Sequence, residues 1–300
     1  MNNLPFDKPG QFYRGNLHTH STRSDGRLTP EAVCEIYRDN GYDFLALTDH
    51  FLGRYKFPLV DTTPYRTADF VTLYGAELHA PATEIGVLWH ILAVGLPLNF
   101  APPTDAETGP QIAQRAVRAG AYVAVAHPAW YGLSEADVLS LGEVDAIEIY
   151  NATSEDHNDK ADSWHIADVL LARGHRYTAC ATDDAHFNPE RHDFARGWVM
   201  VRAPELTPDA LLAALKAGHY YSSTGPAIYD VQVRNRTVTV YCSPAERVFV
   251  TGQGSQAKSA AGWSLTEARI TLNHFDSPYC RVTVRDAQGR RAWTNPIWLA

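Results

Sequence analysis

The stretch "YRGNLHTHSTRSDG", residues 13–26, has the pattern of a β-strand that turns abruptly polar at its end. It carries two histidines two positions apart, followed by an acid and a glycine. Because residues i and i+2 of an extended strand share one face, His18 and His20 can contact the same ion. This pair is a stronger metal-ligand signal than a single histidine in an apolar strand, which is more often a hydrogen-bonded core residue.

Composition and charge exclude several classes of protein. Of the 300 residues, 45% are apolar and 20% are charged, which is ordinary for a soluble globular protein. A net charge of −8 leaves no basic surplus to bind a nucleic-acid polymer or an anionic membrane. No apolar run approaches the roughly 20 residues of a membrane helix. The four scattered cysteines and the absence of a signal pattern in "MNNLPFDKPGQ" favour a cytoplasmic location.

Up to about residue 225, short apolar runs alternate with amphipathic stretches that end in glycine, which is the pattern of βα units. Three of these stretches predict helices, at residues 29–41, 134–142 and 207–218. Each opens on a threonine or serine that can cap the first turn. The sequence therefore predicts an α/β domain over residues 1–225.

After "STGPAI", residues 223–228, the composition changes to short runs in which apolar and polar residues alternate. Turn-like "RN", "SPAE" and "DAQGR" separate these runs, so residues 226–300 are expected to form a small all-β, sandwich-like domain. The tight junction favours rigid packing on the larger domain. This β module is expected either to shape the substrate pocket or to offer a separate binding surface.

The apolar runs of the first domain share a further feature, because most deliver a His, Asp or Glu at or near the strand edge. Burying so many such groups is costly unless a cation compensates them, which favours a multinuclear metal site. Imidazole and carboxylate ligands suit Zn, Mn or Fe. No GxSxG or GxxxxGK[ST] motif points to other chemistry. The runs are "GNLHTH", "LALTDH", "LYGAELHA", "LWHILAVG", "VAVAHP" and "ACATDDAH".

Taken in order, these motifs resemble the PHP family, the polymerase and histidinol phosphatase metallohydrolases. The resemblance covers roughly residues 13–225. It implies a distorted seven-stranded (β/α) barrel with two or three divalent metal ions. The implied activity is hydrolysis of small phosphorylated molecules, as a phosphomonoesterase or phosphodiesterase, by a hydroxide that bridges two of the metals.

Carried over residue by residue, the resemblance implies three metal positions. The first would be held by His18, His20, Glu77 and Asp184. The second would be held by Glu77, His90 and His127. The third would be held by Asp25, His50 and His186, although some relatives have a histidine where Asp25 stands. Asp183 and His79, which lie beside these positions, are expected to support the ligands.

The resemblance also suggests catalytic roles. Glu77 would bridge two metals, Asp184 would accept the proton of the attacking water, and His186 or His192 would protonate the leaving group. Arg23, Arg196 and His192 are candidate substrate anchors, the two arginines for a phosphate.

Two alternatives remain open. The same metals could hydrolyse a carboxyl ester or carbamate, in which case the pocket wall should be aromatic and free of charge. Trp130 and Tyr131, directly after "AHP", are candidates for an apolar wall or for ordinary packing. The domain could instead be a polymerase-associated binding module, although the chain has no polymerase-sized region. The sequence does not specify an oligomeric state.

Overall fold

The computed structural model describes residues 4–299, which contain seven α-helices and sixteen β-strands. The helices are α1 Pro30–Asp39, α2 Gly109–Arg118, α3 Pro128–Tyr131, α4 Glu135–Ser140, α5 Ala152–Asn158, α6 Trp164–Ala172 and α7 Pro208–Lys216. Single 3-10 turns cover Pro5–Asp7, Gly53–Tyr55 and Thr63–Tyr65.

The strands divide into those before and those after residue 225. The first group is β1 Gln11–Asn16, β2 Phe44–Leu47, β3 His50–Phe51, β4 Val71–Ala80, β5 Trp89–Val94, β6 Tyr122–Val125, β7 Ala146–Asn151, β8 Thr178–Thr182, β9 Trp198–Ala203 and β10 Tyr220–Ser223. The second group is β11 Ile228–Arg234, β12 Thr237–Thr251, β13 Ala257–Thr271, β14 Tyr279–Arg285, β15 Arg291–Thr294 and β16 Ile297–Trp298.

The fold is mixed α/β, built on one large sheet in the order β11-β12-β14-β15-β10-β9-β1-β2-β4-β5-β6-β7-β8, with β3, β13 and β16 beside this path. The predicted barrel is not confirmed, because within residues 4–299 no backbone ladder joins β8 to β9 or β10. Side-chain bonds span this gap instead, since Ser222 Oγ donates to the Ala179 carbonyl and accepts from the Ala181 N–H.

The βα alternation is interrupted at β4 and β5, which a short loop joins without a helix. Strand β5 runs antiparallel to both β4 and β6. His90 is therefore at the beginning of its strand and not at the carboxyl end that the repeating pattern predicts. The reversal still brings it to the ligand-bearing edge, because His90 pairs directly with His79.

The three predicted helices are confirmed, together with their caps. Helices α1 and α7 begin with a proline, and the side chains of Thr29 and Thr207 accept bonds from the third residue beyond them. Helix α4 opens with a capping box in which Ser134 and Asp137 satisfy each other's backbone N–H groups. These caps position the loops that precede the helices.

The β module is not separated from the preceding strands, because β10 pairs with β15 and the sheet continues into β14 and β12. The prediction of a turn at "SPAE" is wrong, since residues 243–246 lie inside β12. Pro244 has no N–H to donate, and the strand accommodates it where the register with β13 shifts between Tyr241 and Ala245.

Residues beyond 225 pack around an apolar core that includes Val240, Val250 and Val282, and Tyr221, before the junction, is also part of it. Arg281 ties this module to α6, because its guanidinium forms two bonds to the Asp168 carboxylate, at 3.0 and 2.7 Å, and stacks over Trp164. The division at residue 225 stays a prediction. In the part of the chain that the structure describes, no helix is long and apolar enough to span a bilayer.

Candidate metal centre

The edge formed by the carboxyl ends of β1 and β8 brings the first ligand candidates together. Beyond these strands, Thr19 and Ala185 form a parallel bridge, and the Asp184 N–H donates to the His18 carbonyl. This pairing places Oδ1 of Asp184 2.9 Å from Nε2 of His20 and 3.3 Å from Nε2 of His18. The i, i+2 pair therefore does share one face, and the face meets a carboxylate.

Glu77, on β4, lies at the centre of the cluster and is completely buried. Its Oε1 is 2.6 Å from Nδ1 of His90, 3.2 Å from Nε2 of His127 and 3.6 Å from Nε2 of His18. Its Oε2 contacts Nδ1 of His50. One carboxylate thus links histidines from four separate segments, as expected of a bridging ligand.

A second group of ligand-type atoms lies around Asp25. His50 Nε2 is 3.3 Å from one Asp25 oxygen, and His186 Nε2 is 3.5 Å from the other. With His20, these residues offer four ligand atoms that all lie within 4.8 Å of one another. This set contains the three residues of the third predicted metal position.

All nine predicted metal ligands therefore meet in one region. His79 joins them, because its Nε2 lies 2.9 Å from Nδ1 of His50 while its Nδ1 is bonded to the Trp89 carbonyl. Groups of three or four ligand atoms, each within 4.8 Å of one another, occur four times among residues 4–299. Each group draws on at least two different strand ends.

Electrostatics favour the ligand form of the buried carboxylates. Burial by itself raises the pKa of Glu77 and of Asp184, but the surrounding histidines outweigh it and hold both pKa values well below their ordinary range. Burial opposes the charged form of His18, yet the carboxylates of Asp184, Glu148 and Glu77 raise its pKa. These carboxylates therefore favour a positive charge beside His18, and a divalent cation would supply that charge.

Two of the histidines are kept neutral, as metal ligation requires. Burial, with the like charges of neighbouring histidines, lowers the pKa of His20 to about 3. Burial likewise lowers the pKa of His90 to about 3, although the contact with Glu77 counteracts it.

Glu148, on β7, positions His18. Its Oε1 is 2.8 Å from Nδ1 of His18 and accepts the Thr182 hydroxyl, while its Oε2 accepts the His127 N–H and the Asn151 amide. The bond to Nδ1 turns the other ring nitrogen of His18 toward the cluster. Glu148 was not among the predicted site residues, although an acid inside the apolar run "AIEIYN" is a usable signal.

Two more buried acids support the loops that carry ligands. Asp49 accepts bonds from the Ser21 N–H and hydroxyl and from the Ser24 hydroxyl, which shapes the turn before Asp25. Asp183 accepts the backbone N–H groups of residues 195–197, so it supports the structure beside the ligands, as predicted. Burial raises the pKa of Asp183 to about 6.

The backbone is unusual at two of the ligand candidates. His127 has φ of 28° and Asp184 has φ of 54°, both in a region that non-glycine residues avoid. Such conformations persist where the surroundings impose them, and they cluster at functional sites. Here they direct a ring and a carboxylate into the cluster.

The buried polar atoms meet a chemical test for a bound cation. Among the described residues, Nε2 of His18 and Oε2 of Glu77 are buried and form no hydrogen bond of good geometry, although Oε2 is in close contact with Nδ1 of His50. Leaving such atoms unpaired costs about 1–3 kcal/mol each. A divalent ion ligated by these atoms would remove that cost, so the residues present fit a metal centre.

The cluster forms the floor of a cavity of about 490 Å³. Three arginines line the cavity, Arg27, Arg54 and Arg191, and none of them was among the predicted substrate anchors. Each follows a ligand-bearing segment by a few residues, a signal that was available. Trp130 and Tyr131 also line the cavity, so of their two predicted roles they take that of the cavity wall and not that of ordinary packing.

The three predicted substrate anchors are absent from the cavity lining that the structure describes. Arg196 pairs with Glu155 at 2.9 Å, beside a different cleft. The Arg23 N–H donates to Ser21, and the His192 carbonyl accepts from Arg196. Their roles in substrate binding stay predictions.

No protein-family model matches the chain, and no curated protein matches it. Among solved structures, a two-domain protein of Bacteroides vulgatus ATCC 8482 containing a predicted PHP-like metal-dependent phosphoesterase aligns over 93% of each chain, with a TM-score of 0.54 and 16% identity. The chain therefore shares its fold with this two-domain protein.

Two further structures align over smaller shares of this chain. A proposed metal-dependent phosphoesterase of Bifidobacterium adolescentis ATCC 15703 covers 58% of this chain and 89% of its own, at 14% identity and a TM-score of 0.41. An amidohydrolase of Chromobacterium violaceum with bound sulfate and no metal covers 59% and 89%, at 16% identity and a TM-score of 0.43.

Proposed function

We propose that this protein is a metal-dependent hydrolase of small phosphorylated substrates. The observation that carries the proposal is the convergence of ligand-type side chains on Glu77, which lines the cavity together with His50, His90 and His127. The shared fold with a protein containing a predicted PHP-like phosphoesterase supports it.

Two or three divalent ions, Zn, Mn or Fe, would be held by the predicted ligands, with Glu77 shared between positions. The ions would lower the pKa of a coordinated water to near neutrality and polarise a substrate oxygen. The ligands are His18, His20, Asp25, His50, Glu77, His90, His127, Asp184 and His186.

The chain's own residues supply proton transfer at the rim of the cluster. Asp184 Oδ1 faces His18 and His20, and Asp184 would accept a proton from the attacking water through a carboxylate oxygen that is not bound to a metal. His186 Nδ1 is bonded to the Asp184 carbonyl at 2.7 Å, which leaves Nε2 as the atom that ligates or donates a proton. Since one atom cannot do both at once, His186 donates only when it is not bound to a metal.

The lining favours phosphate over a carboxyl ester or carbamate. Guanidinium groups bind phosphate through paired, charge-assisted hydrogen bonds. No carboxylate pairs with Arg27 or Arg54 among residues 4–299, where Arg54 lies over the Tyr55 ring, and the Arg191 guanidinium donates to Nδ1 of His157. The presence of three cationic groups in the lining is better explained by an anionic substrate than by an uncharged ester.

We further propose a cytoplasmic protein whose partner is a small phosphorylated molecule and whose catalytic domain is residues 1–225, with 226–300 as an accessory module. All four cysteines are free and buried, which accords with a reducing compartment.

The test pairs elemental analysis of the purified protein with a substrate panel. Para-nitrophenyl phosphate, bis-para-nitrophenyl phosphate and para-nitrophenyl acetate share a leaving group and differ in the bond broken. We expect bound Zn, Mn or Fe and hydrolysis of a phosphate ester. A larger acceleration over the uncatalysed reaction for the acetate than for either phosphate ester would establish the alternative, and full activity of a metal-free preparation would refute the scheme.

A further inference from the structure

The mouth of the cavity exposes apolar side chains where a soluble surface would favour polar ones. Five large hydrophobic residues are exposed among residues 4–299, and two of them, Ile85 and Leu88, lie on the loop between β4 and β5. Their exposed fractions are 62% and 38%, and Leu88, but not Ile85, is among the residues that line the cavity. An exposed apolar residue that lines a cavity indicates a contact surface for a ligand.

Beside this loop, α3 adds two aromatic rings. Tyr131 lies 4.4 Å from the His90 ring and 5.0 Å from the His127 ring, centre to centre, and Trp130 lies 5.2 Å from His127. Both aromatic residues are half-buried and line the cavity. Their contacts with ligand candidates place this aromatic surface next to the reacting centre.

The apolar surface is held in place before any ligand binds. The Glu84 N–H donates to Asp137 at 2.7 Å, and Ser134 Oγ donates to Glu84, so the N-terminal turn of α4 anchors the loop. Ile85 packs against Gly132, which has no side chain to displace it. Groups that are already ordered lose less conformational entropy when a ligand binds.

The cationic residues come from other loops. Arg27, Arg54 and Arg191 follow β1, β3 and β8, whereas the apolar residues belong to the β4–β5 loop and to α3. The cavity thus offers cationic groups for the phosphate and apolar groups for what the phosphate is attached to. The two adjoin where Arg191 donates to His157, whose ring lies 5.4 Å from that of Trp130.

We infer that the substrate is a phosphomonoester whose leaving group carries a planar aromatic ring, which stacks on Trp130 and Tyr131 and contacts Leu88. The inference rests on the proposed function. A small polyhydroxy leaving group would leave this apolar surface wet, whereas an aromatic ring buries it and gains ring stacking.

The test compares benzyl phosphate, cyclohexylmethyl phosphate and methyl phosphate, all of which have alkoxide leaving groups. We expect kcat/KM to fall in that order, with benzyl roughly tenfold above methyl. Trp130→Ala and Leu88→Ala should each reduce the benzyl-to-methyl ratio, while Trp263→Ala, on exposed β13, should leave it unchanged.

Calorimetry with benzylphosphonate and methylphosphonate checks the same preference without turnover, and Leu88→Ala serves if Trp130→Ala does not fold. Equal kcat/KM values for benzyl and methyl phosphate in the wild-type protein, or a benzyl-to-methyl ratio that is unchanged in both cavity variants, would overturn this inference. The proposed phosphoesterase activity would still stand. No hydrolysis of any phosphate ester would overturn the proposed function and this inference with it.

Discussion

The candidate metal centre and the β module occupy different parts of one hydrogen-bonded sheet, yet they bury opposite kinds of side chain. At the centre, Glu77, His18 and Asp184 are buried in contact with one another. In the module, Val240, Val250 and Val282 pack in an apolar core. Apolar burial is favourable by itself, whereas buried charge needs a counter-charge. The centre should therefore depend on a bound cation for stability, and the module should not.

Glu77→Ala should have the largest effect, since it removes the carboxylate shared by the ligand groups. We expect metal content and turnover to be abolished, as measured by elemental analysis and phosphate release. Glu246→Ala, the same change on β12, should alter neither, because Glu246 is exposed and pairs only loosely with Arg285 at 3.7 Å. Retained metal and turnover in Glu77→Ala would show that the metal centre does not depend on this carboxylate.

Chelation should destabilise one region and spare the other. A metal present at 100–1,000 times its Kd contributes about 3–4 kcal/mol to the free energy of unfolding, which chelation removes. Hydrogen exchange should show the loss in residues 16–20, 75–80 and 182–186, with β12 and β14 protected as before. Uniform loss across both regions would mean that they unfold as one unit.

Glu148→Gln should weaken metal binding by roughly 10–100-fold, because an amide disturbs the bond that orients His18. Titration of the metal-free protein with Zn²⁺ measures the effect. Glu246→Gln is the matched control in the β module. Unchanged affinity would show that His18 is held by its remaining contacts.

Asp168→Asn should have the smallest effect, about 1 kcal/mol in the free energy of unfolding, because the bond to Arg281 is partly exposed. Chemical denaturation measures it, and metal affinity should not change. Glu267→Gln, which affects the exposed pair with Arg269, should leave stability unchanged. Loss of metal in Asp168→Asn would show that the junction transmits strain to the centre.

Local patterns were sufficient to predict several features. Thr29 and Ser134 cap the helices that their sequences predict, because capping involves only residues three or four positions away. Likewise, the spacing of His18 and His20 was enough to place both rings on one face.

Other features depend on which strands pair, and strand pairing involves residues far apart in sequence. The antiparallel course of β5 carries His90 to the ligand-bearing edge, and the continuity of β12 absorbs a segment that reads locally as a turn. The lining by Arg27, Arg54 and Arg191 arises because loops from three distant segments meet at one cavity.

The ligand-type residues, the capped helices and the change to β structure after residue 225 could all be predicted from short-range spacing. The open sheet, the support of His18 by Glu148 and the sharing of the cavity wall by arginines and aromatic rings could not. These features arise from contacts between residues distant in the chain, which no local pattern encodes.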